Sequence, residues 1–341
     1  MGALLRQGHT ARPYALDERM IAAGAFLRAA YERAKDVRPE TMQPSEADVI
    51  YQASVGILER ALRYQVDWVL VVSGMYLHPD ALVLMRRAGR RVALICTESP
   101  YEQDKELRLA GVCSAVWTNE RTSVNAFRAV CPNAYYWQHA IDPERHVAGT
   151  QAGDEDVAAH DVVFVGTGFE ERIAWLEAVD WTGIDLGLYG SWEMLTDDSP
   201  LQPYVRGGVT DNATTAALYR RAKIGLNLHR TTKGWGMGAE HIAAAEAESL
   251  GPRCYELAAA GCFFLSDWRE ELGDVFGEIA ARVDTPADMT RAMRYWLEHE
   301  GERERRAAAL PEQVAAHTFD NRVREMVAQL ARIQEASDGT L

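Results

Sequence analysis

Three stretches of this chain set residues able to hold an anion or a polyol at the ends of apolar runs. In ESLGPRCYELAAAGCFFLSDW (248–268) a helix is expected to begin near Pro252, so Arg253 and Glu256 share one face of its first turns. A guanidinium suits a diphosphate, and a carboxylate accepts the vicinal hydroxyls of a ribose or a sugar; the same spacing also serves an ordinary helix salt bridge. In VVFVGTGFEER (162–172) a strand runs into a glycine turn and then a helix. Gly166 and Gly168 permit close backbone approach on either side of Thr167, and the helix start offers free N–H groups to an anion. Arg172, one turn further on, could reach a diphosphate or stand as a solvated helix charge. In KIGLNLHR (223–230) a buried strand ends in Asn227, His229 and Arg230, with the glycine-rich GWGMG (234–238) close behind. Polar residues beyond a strand's carboxyl end are where α/β sites are built, and a glycine-rich neighbour can order over a ligand. A strand-end histidine bonded only to its surroundings is the plainer alternative.

Other patterns narrow the chemistry. The dinucleotide fingerprint needs a third small residue where Glu171 stands, although Asp185, about twenty residues on, keeps a nicotinamide-dependent oxidoreductase in view. Cys96, Cys113, Cys131, Cys254 and Cys262 include no C-x-x-C pair, which points to reduced thiols in a cytoplasmic protein and away from zinc. No metal is expected: no D-x-D pair ends a strand, and Asp197-Asp198 lie in a polar loop. The formal charge of −14 repels phosphate backbones and acidic membrane surfaces, so a nucleic acid fits only as an acceptor met by a local basic face. Arg86, Arg87, Arg90 and Arg91 could line such a face or simply complement a helix end. No apolar run reaches the roughly 18 residues of a membrane span, and no signal-peptide pattern opens the chain.

The elements that must position these residues form an α/β pattern with parallel sheets. In the first half, strands are expected at 12–17, 67–74, 91–97, 114–119 and 134–138, with helices near 18–35, 46–64, 79–89 and 120–130. The runs at 68–72 and 92–96 lack alternation, as in strands covered on both faces. A polar stretch over 143–160 precedes a second series: strands at 161–168, 184–190, 223–229 and 262–267, and helices from about 169, near 213–222 and near 252–260. Thr285-Pro286-Ala287-Asp288 is a helix start, and 317–333 an amphipathic last helix. The expected organisation is a first Rossmann-like domain over 1–145, a linker over 146–160, a second domain over 161–318 and a final helix over 319–341. GALLRQGH (2–9) looks like the helix that follows the first strand of such a domain, so that strand is expected upstream of Met1.

The order of these motifs resembles the GT-B glycosyltransferases, most closely the family named for spore-maturation proteins, itself related to the large retaining family with paired glutamates. The resemblance rests on VVFVGTGFEER, IDLGLYG, the GGV before a helix ending LYRRAK, IGLNLHR, GPRCYELAAAGCFFLSD and HTFDNR, and spans nearly all of the second half. The first half matches more loosely, through SG at 73–74, TESPYEQD, TNERTSVNAFR and HAIDPERH. It implies two Rossmann-like domains with parallel sheets facing a central cleft and a last helix returning towards the first domain. It implies, too, a UDP- or GDP-sugar as donor substrate, no tightly bound cofactor, and transfer of a hexosyl or pentosyl group to a hydroxyl acceptor.

By the same resemblance, Glu256 falls on the glutamate that bonds the donor ribose and Arg253 on the diphosphate arginine. Gly208-Val209 corresponds to the backbone segment that faces the base, and Tyr219 to the tyrosine that packs behind the diphosphate. Gly166, Thr167, Gly168, Arg172, Tyr189, Gly190, His229, Arg230 and Tyr255 complete the donor side; Ser73, Gly74 and His139 stand on the acceptor side. Glu248 has the spacing of the first paired glutamate but sits in the helical-looking run 241–249. Glu98, just beyond strand 91–97, is the candidate catalytic base, with Asp104 in reserve. A transferase acting on a hydroxymethylpyrimidine base of DNA, a sugar-nucleotide epimerase or hydrolase, a non-catalytic sugar-nucleotide binder and the oxidoreductase are the alternatives.

Overall fold

Strands that helices cover on both faces have no polar alternation, and VALI, AVWT, VVFV and IGLN all become buried strands of parallel sheets. The computed structural model describes residues 1–34, 36, 43–233, 240–241 and 247–338. The chain divides into two units, Met1–Trp137 with Met326–Leu341, and Gln138–Glu325.

The first unit contains α1 (Gly2–Arg6), α2 (Leu16–Ala34), α3 (Glu46–Arg63), β1 (Trp68–Val72), α4 (Pro79–Arg87), β2 (Arg91–Ile95), α5 (Gln103–Ala110), β3 (Ala115–Thr118), α6 (Val124–Val130) and β4 (Ala134–Tyr136). Its strands lie in sequence order and all run parallel. Leu82, Met85, Leu94, Val116 and Phe127 fill the core beneath them. Local chemistry sets the helix starts: Ser45 and Asp48 form a capping box at α3, and His78 caps α4 with Pro79 behind it. Among the described residues β1 pairs only with β2, and Val72 at its end is exposed.

No strand forms over 12–17, contrary to expectation. Tyr14 instead donates its hydroxyl to the Ala53 carbonyl of α3, and Asp17 and Glu18 open α2. The expected helix over 120–130 starts as a 3-10 turn, Arg121–Ser123, and α5 is an addition.

The second unit contains β5 (Val162–Val165), α7 (Glu170–Glu177), β6 (Leu186–Tyr189), β7 (Val205–Gly207), α8 (Asn212–Arg221), β8 (Ile224–Asn227), β9 (Thr232–Lys233), β10 (Glu240–His241), α9 (Pro252–Ala259), β11 (Phe264–Ser266), α10 (Glu270–Phe276), β12 (Ala281–Arg282), α11 (Pro286–Glu298), α12 (Glu300–Val314) and α13 (Phe319–Asp338), the last of which ends in the first unit. Six parallel strands run in the order β12-β11-β8-β5-β6-β7. Counted along the chain this is the doubly wound order 3-2-1-4-5-6, whose direction reverses between β5 and β8. Two apolar clusters cover the two faces, one with Leu176, Trp181, Met289 and Trp296, the other with Tyr255, Phe264, Phe276 and Leu310. Thr285 caps α11 by accepting from the Asp288 N–H, with Pro286 next. Within the stretch expected as a linker, Asp154 is buried against Arg220 of α8 in a two-pronged ion pair, with N···O distances of 2.8 and 2.6 Å.

Candidate functional site

In a doubly wound sheet, ligands bind beyond the strands' carboxyl ends where the order reverses. That place is the paired ends of β5 and β8, and it holds the buried side chains of Arg172, Asn227, His229 and Arg230, all foreseen from sequence. The chain leaves β5 through Gly166, at φ +156°, where a Cβ would lie 2.2 Å from Nη2 of Arg253. A side chain here would displace the guanidinium. Gly190, at φ +114°, ends β6, and its Cβ would lie 2.2 Å from the Gly166 carbonyl oxygen, so the two backbones touch. Gly168 donates to the Ser191 carbonyl and lies against the Trp192 ring.

Three arginines meet over this turn. Arg253, from the first turn of α9, donates Nε–H to the Val165 carbonyl at 2.8 Å and reaches Asn227 Oδ1 and the Leu228 carbonyl through Nη1, each at 3.4 Å. Arg172, from α7, donates to the same Leu228 carbonyl at 3.0 Å and to the Thr167 carbonyl at 2.9 Å. Phe164 lies under both guanidinium groups, 4.5 Å from that of Arg253 and 5.6 Å from that of Arg172. Phe169 in turn lies under Arg172 at 5.1 Å and Arg230 at 4.8 Å. Aromatic faces and backbone carbonyls thus concentrate three positive charges in a unit that is otherwise acidic.

A second group fixes the end of β8. Asp267, after β11, accepts the His229 backbone N–H at 3.0 and 3.1 Å and meets His229 Nδ1 at 2.5 Å. Burial pushes the His229 imidazole down to about 4 against the pull of Asp267, so it is neutral at pH 7. Burial works to raise Asp267, but the His229 hydrogen bonds and Arg269 outweigh it and hold the carboxyl below its usual range. Asn227 Nδ2 lies 3.2 Å from His229 Nε2 and 2.9 Å from Ser266 Oγ.

Of the other expected donor residues, Glu256 lies within electrostatic range of Arg253 and His146, though burial is the larger influence and raises its carboxyl pKa. Tyr219 is fully buried beside Arg253 and Glu256, and burial raises its phenol. Tyr189 turns its hydroxyl away, to His160 Nε2 at 2.9 Å. Tyr255 packs in the core against Phe276 and His317, and Val209 is 85% exposed. The GWGMG segment, 234–238, lies outside the described residues, as does most of the run 241–249; Glu248 is described, and its carbonyl accepts the Glu271 N–H. Asp185 immediately precedes β6 and pairs with His160 and Arg206. It therefore sits at the strand's amino end, opposite the edge from which the glycine turn leaves, and does not serve the fingerprint role.

In the first unit, Ser73 and Gly74 take left-handed φ values of 64° and 74° after β1. Glu98 follows β2, and its backbone N–H is held by the fully buried Glu106 carboxylate at 2.9 Å. Glu106 also accepts the Thr97 N–H at 2.9 Å and the Ser99 hydroxyl at 2.5 Å. Asp104 is exposed in the first turn of α5. His139 lies in the second unit, where burial first, and then Arg269 and Arg322, bring its pKa down to about 4.

Sequence reasoning missed Phe164, Phe169, Asp267 and Glu106. The strand-end rule that singled out Asn227 and His229 would have found Asp267, one residue beyond β11. The aromatics read as core, and nothing local marks Glu106. Among the described residues no group of three or more His, Cys, Asp or Glu could hold a metal ion, and no helix is long and apolar enough to cross a membrane.

Residues 172–328 match the family described as glycosyl transferase-like. No curated protein sequence matches significantly. Among solved structures, sucrose-phosphate synthase from Thermosynechococcus elongatus is similar with a TM-score of 0.60 and 13% identity, over 85% of this chain and 79% of that one. The HepE protein of Anabaena, in complex with UDP-glucose, gives a TM-score of 0.55 and 12% identity, over 84% and 82%. An α-glucosyltransferase in complex with UDP and a DNA containing an HMU base gives 0.54 and 11%, over 82% and 84%. The fold is that of GT-B glycosyltransferases, an α/β architecture with two parallel sheets. The family match and the fold together support nucleotide-sugar glycosyltransfer.

Proposed function

We propose that this protein transfers a hexosyl or pentosyl group from a UDP- or GDP-sugar to a hydroxyl acceptor, with the donor diphosphate held at the carboxyl ends of β5 and β8. The observation that carries the reading is the run Arg253, Phe164, Arg172, Phe169, Arg230, which assembles three guanidinium groups at the switch point of the second sheet. Cleavage of the sugar–phosphate bond leaves charge on the diphosphate, and donors fixed in advance stabilise it without reorganisation. Glu256, beside Arg253, is assigned to the ribose hydroxyls. Glu98, in the first unit, is assigned to the acceptor hydroxyl as general base, its backbone anchored by Glu106. The sequence motifs support kinship with the spore-maturation-protein family, and five free cysteines support a reducing compartment such as the cytoplasm.

Calorimetric titration with UDP-glucose and GDP-mannose, together with release of the nucleoside diphosphate, tests the donor site. Arg253→Gln removes a charge-assisted contact worth about 1.5–3 kcal/mol, so affinity should fall by roughly ten- to a hundredfold. Unchanged affinity and turnover in a folded variant would place the donor elsewhere.

A further inference from the structure

Beyond β8 and β11, one chain of hydrogen bonds has a single consistent assignment of protons. Ser266 Oγ donates to the Asp267 carbonyl at 2.8 Å, so towards Asn227 it is an acceptor. The Asn227 amide nitrogen therefore donates to Ser266 Oγ at 2.9 Å, and its second hydrogen points to His229 Nε2 at 3.2 Å. Nε2 must then carry its lone pair, which puts the proton on Nδ1, facing Asp267 Oδ1 at 2.5 Å. With both amide hydrogens committed, Asn227 presents Oδ1 to Nη1 of Arg253, 3.4 Å away. Each link fixes the next: the carboxylate selects the imidazole tautomer, the tautomer selects the amide orientation, and the amide presents an acceptor to the guanidinium. The reverse amide orientation would aim an NH2 at Arg253 and an oxygen at Ser266. Asn227, Ser266 and His229 are buried and Asp267 is only partly exposed, so little water competes for these bonds.

We propose that Asp267 is a positioning residue for the donor diphosphate: through His229 and Asn227 it holds the Arg253 guanidinium in its binding orientation over Gly166. Asp267 itself touches no substrate. The inference rests on the donor reading above and adds to it a residue whose loss weakens diphosphate binding from three groups away.

The test has two arms. In the wild-type protein, long-range proton–nitrogen NMR of the imidazoles, with His229→Gln for assignment, should show His229 protonated on Nδ1 and bare on Nε2; protonation on Nε2 overturns the relay without any variant having to fold. In the second arm, UDP-glucose and uridine are titrated into wild type and Asp267→Asn. An asparagine can offer its NH2 to Nδ1 and release the tautomer, so UDP-glucose affinity should fall about tenfold while uridine, which carries no phosphate, binds as before. Equal loss for both ligands marks a merely structural role and overturns the proposal, as does unchanged UDP-glucose affinity. Failure of the wild type to bind any sugar nucleotide overturns the donor reading itself, an outcome separate from a wild type that binds and a variant that binds equally well.

Discussion

Glu98 leaves β2 with its backbone N–H given to a carboxylate that is itself fully buried, so the loop carrying it is fixed by Glu106 and by Asn119, which exchanges two hydrogen bonds with Ser99. A general base needs such placement before its pKa matters. Glu98→Gln keeps the size and loses the proton acceptor; kcat should fall by about 10²–10⁴ with the UDP-glucose affinity little changed. A kcat equal to wild type would return Glu98 to an orienting role. At this scale the sequence was informative wherever chemistry and position coincide. Glycine at a strand end, arginine one turn into a helix and Asn-x-His after a buried strand were all read from spacing, and Gly166, Arg172, Asn227, His229 and Arg253 do meet. What spacing cannot carry is partnership across the fold. Phe164 and Phe169 are ordinary apolar residues until two arginines lie over each, and Tyr189 and Tyr255 carry polar groups that the fold directs elsewhere.

Strands of four or five residues with continuous apolar character were legible, because burial on both faces leaves its mark on composition. β7 and β12 were not, since Val205–Gly207 and Ala281–Arg282 are too short to show a period. RPYALD misled because its alternation suits a strand, whereas Tyr14 packs on α3 and, among the described residues, no strand receives it. The polar stretch over 143–160 also hides an anchor. Hydrogen bonds from Arg220, against the cost of burial, bring the Asp154 carboxyl from its usual 3.8 to about 2. The folded-state pKa is depressed, so the stabilisation is complete above about pH 4 and is lost as the pH falls from there towards 2. Acid unfolding of the wild type should therefore gain part of its steepness in that window, and Asp154→Asn should flatten it. Arg220→Ala, which strands the buried carboxylate, should cost about 3–5 kcal/mol in urea unfolding at pH 7. A loss below about 1 kcal/mol, the range of a surface pair, would show that α8 is not held by this contact.

Across the whole molecule the charge is unevenly divided. Met1–Trp137 with Met326–Leu341 carries 18 Lys and Arg against 17 Asp and Glu, whereas Gln138–Glu325 carries 18 against 33. The negative charge is therefore the second unit's alone, −15 against +1 for the first, and the three arginines over Phe164 and Phe169 stand as a local exception within it. For a small dianionic donor this is selective: a diphosphate can be neutralised by three guanidinium groups while longer polyanions meet repulsion from the rest of the second unit. The same division bears on the acceptor. A DNA acceptor would have to be met by the near-neutral first unit, where Arg86 and Arg87 are exposed in the last turn of α4 and Arg90 follows. Cations at a helix end are also what its dipole favours. Fluorescence anisotropy with a labelled 20-base-pair duplex should accordingly show no binding at ~10 μM protein and about 150 mM salt, where non-specific DNA-binding proteins bind with constants near 10⁻⁴–10⁻⁶ M. Lowering the salt should reveal weak binding that Arg86→Ala with Arg90→Ala removes. Micromolar binding that survives physiological salt would instead make a modified DNA base the leading acceptor and the first unit its docking surface.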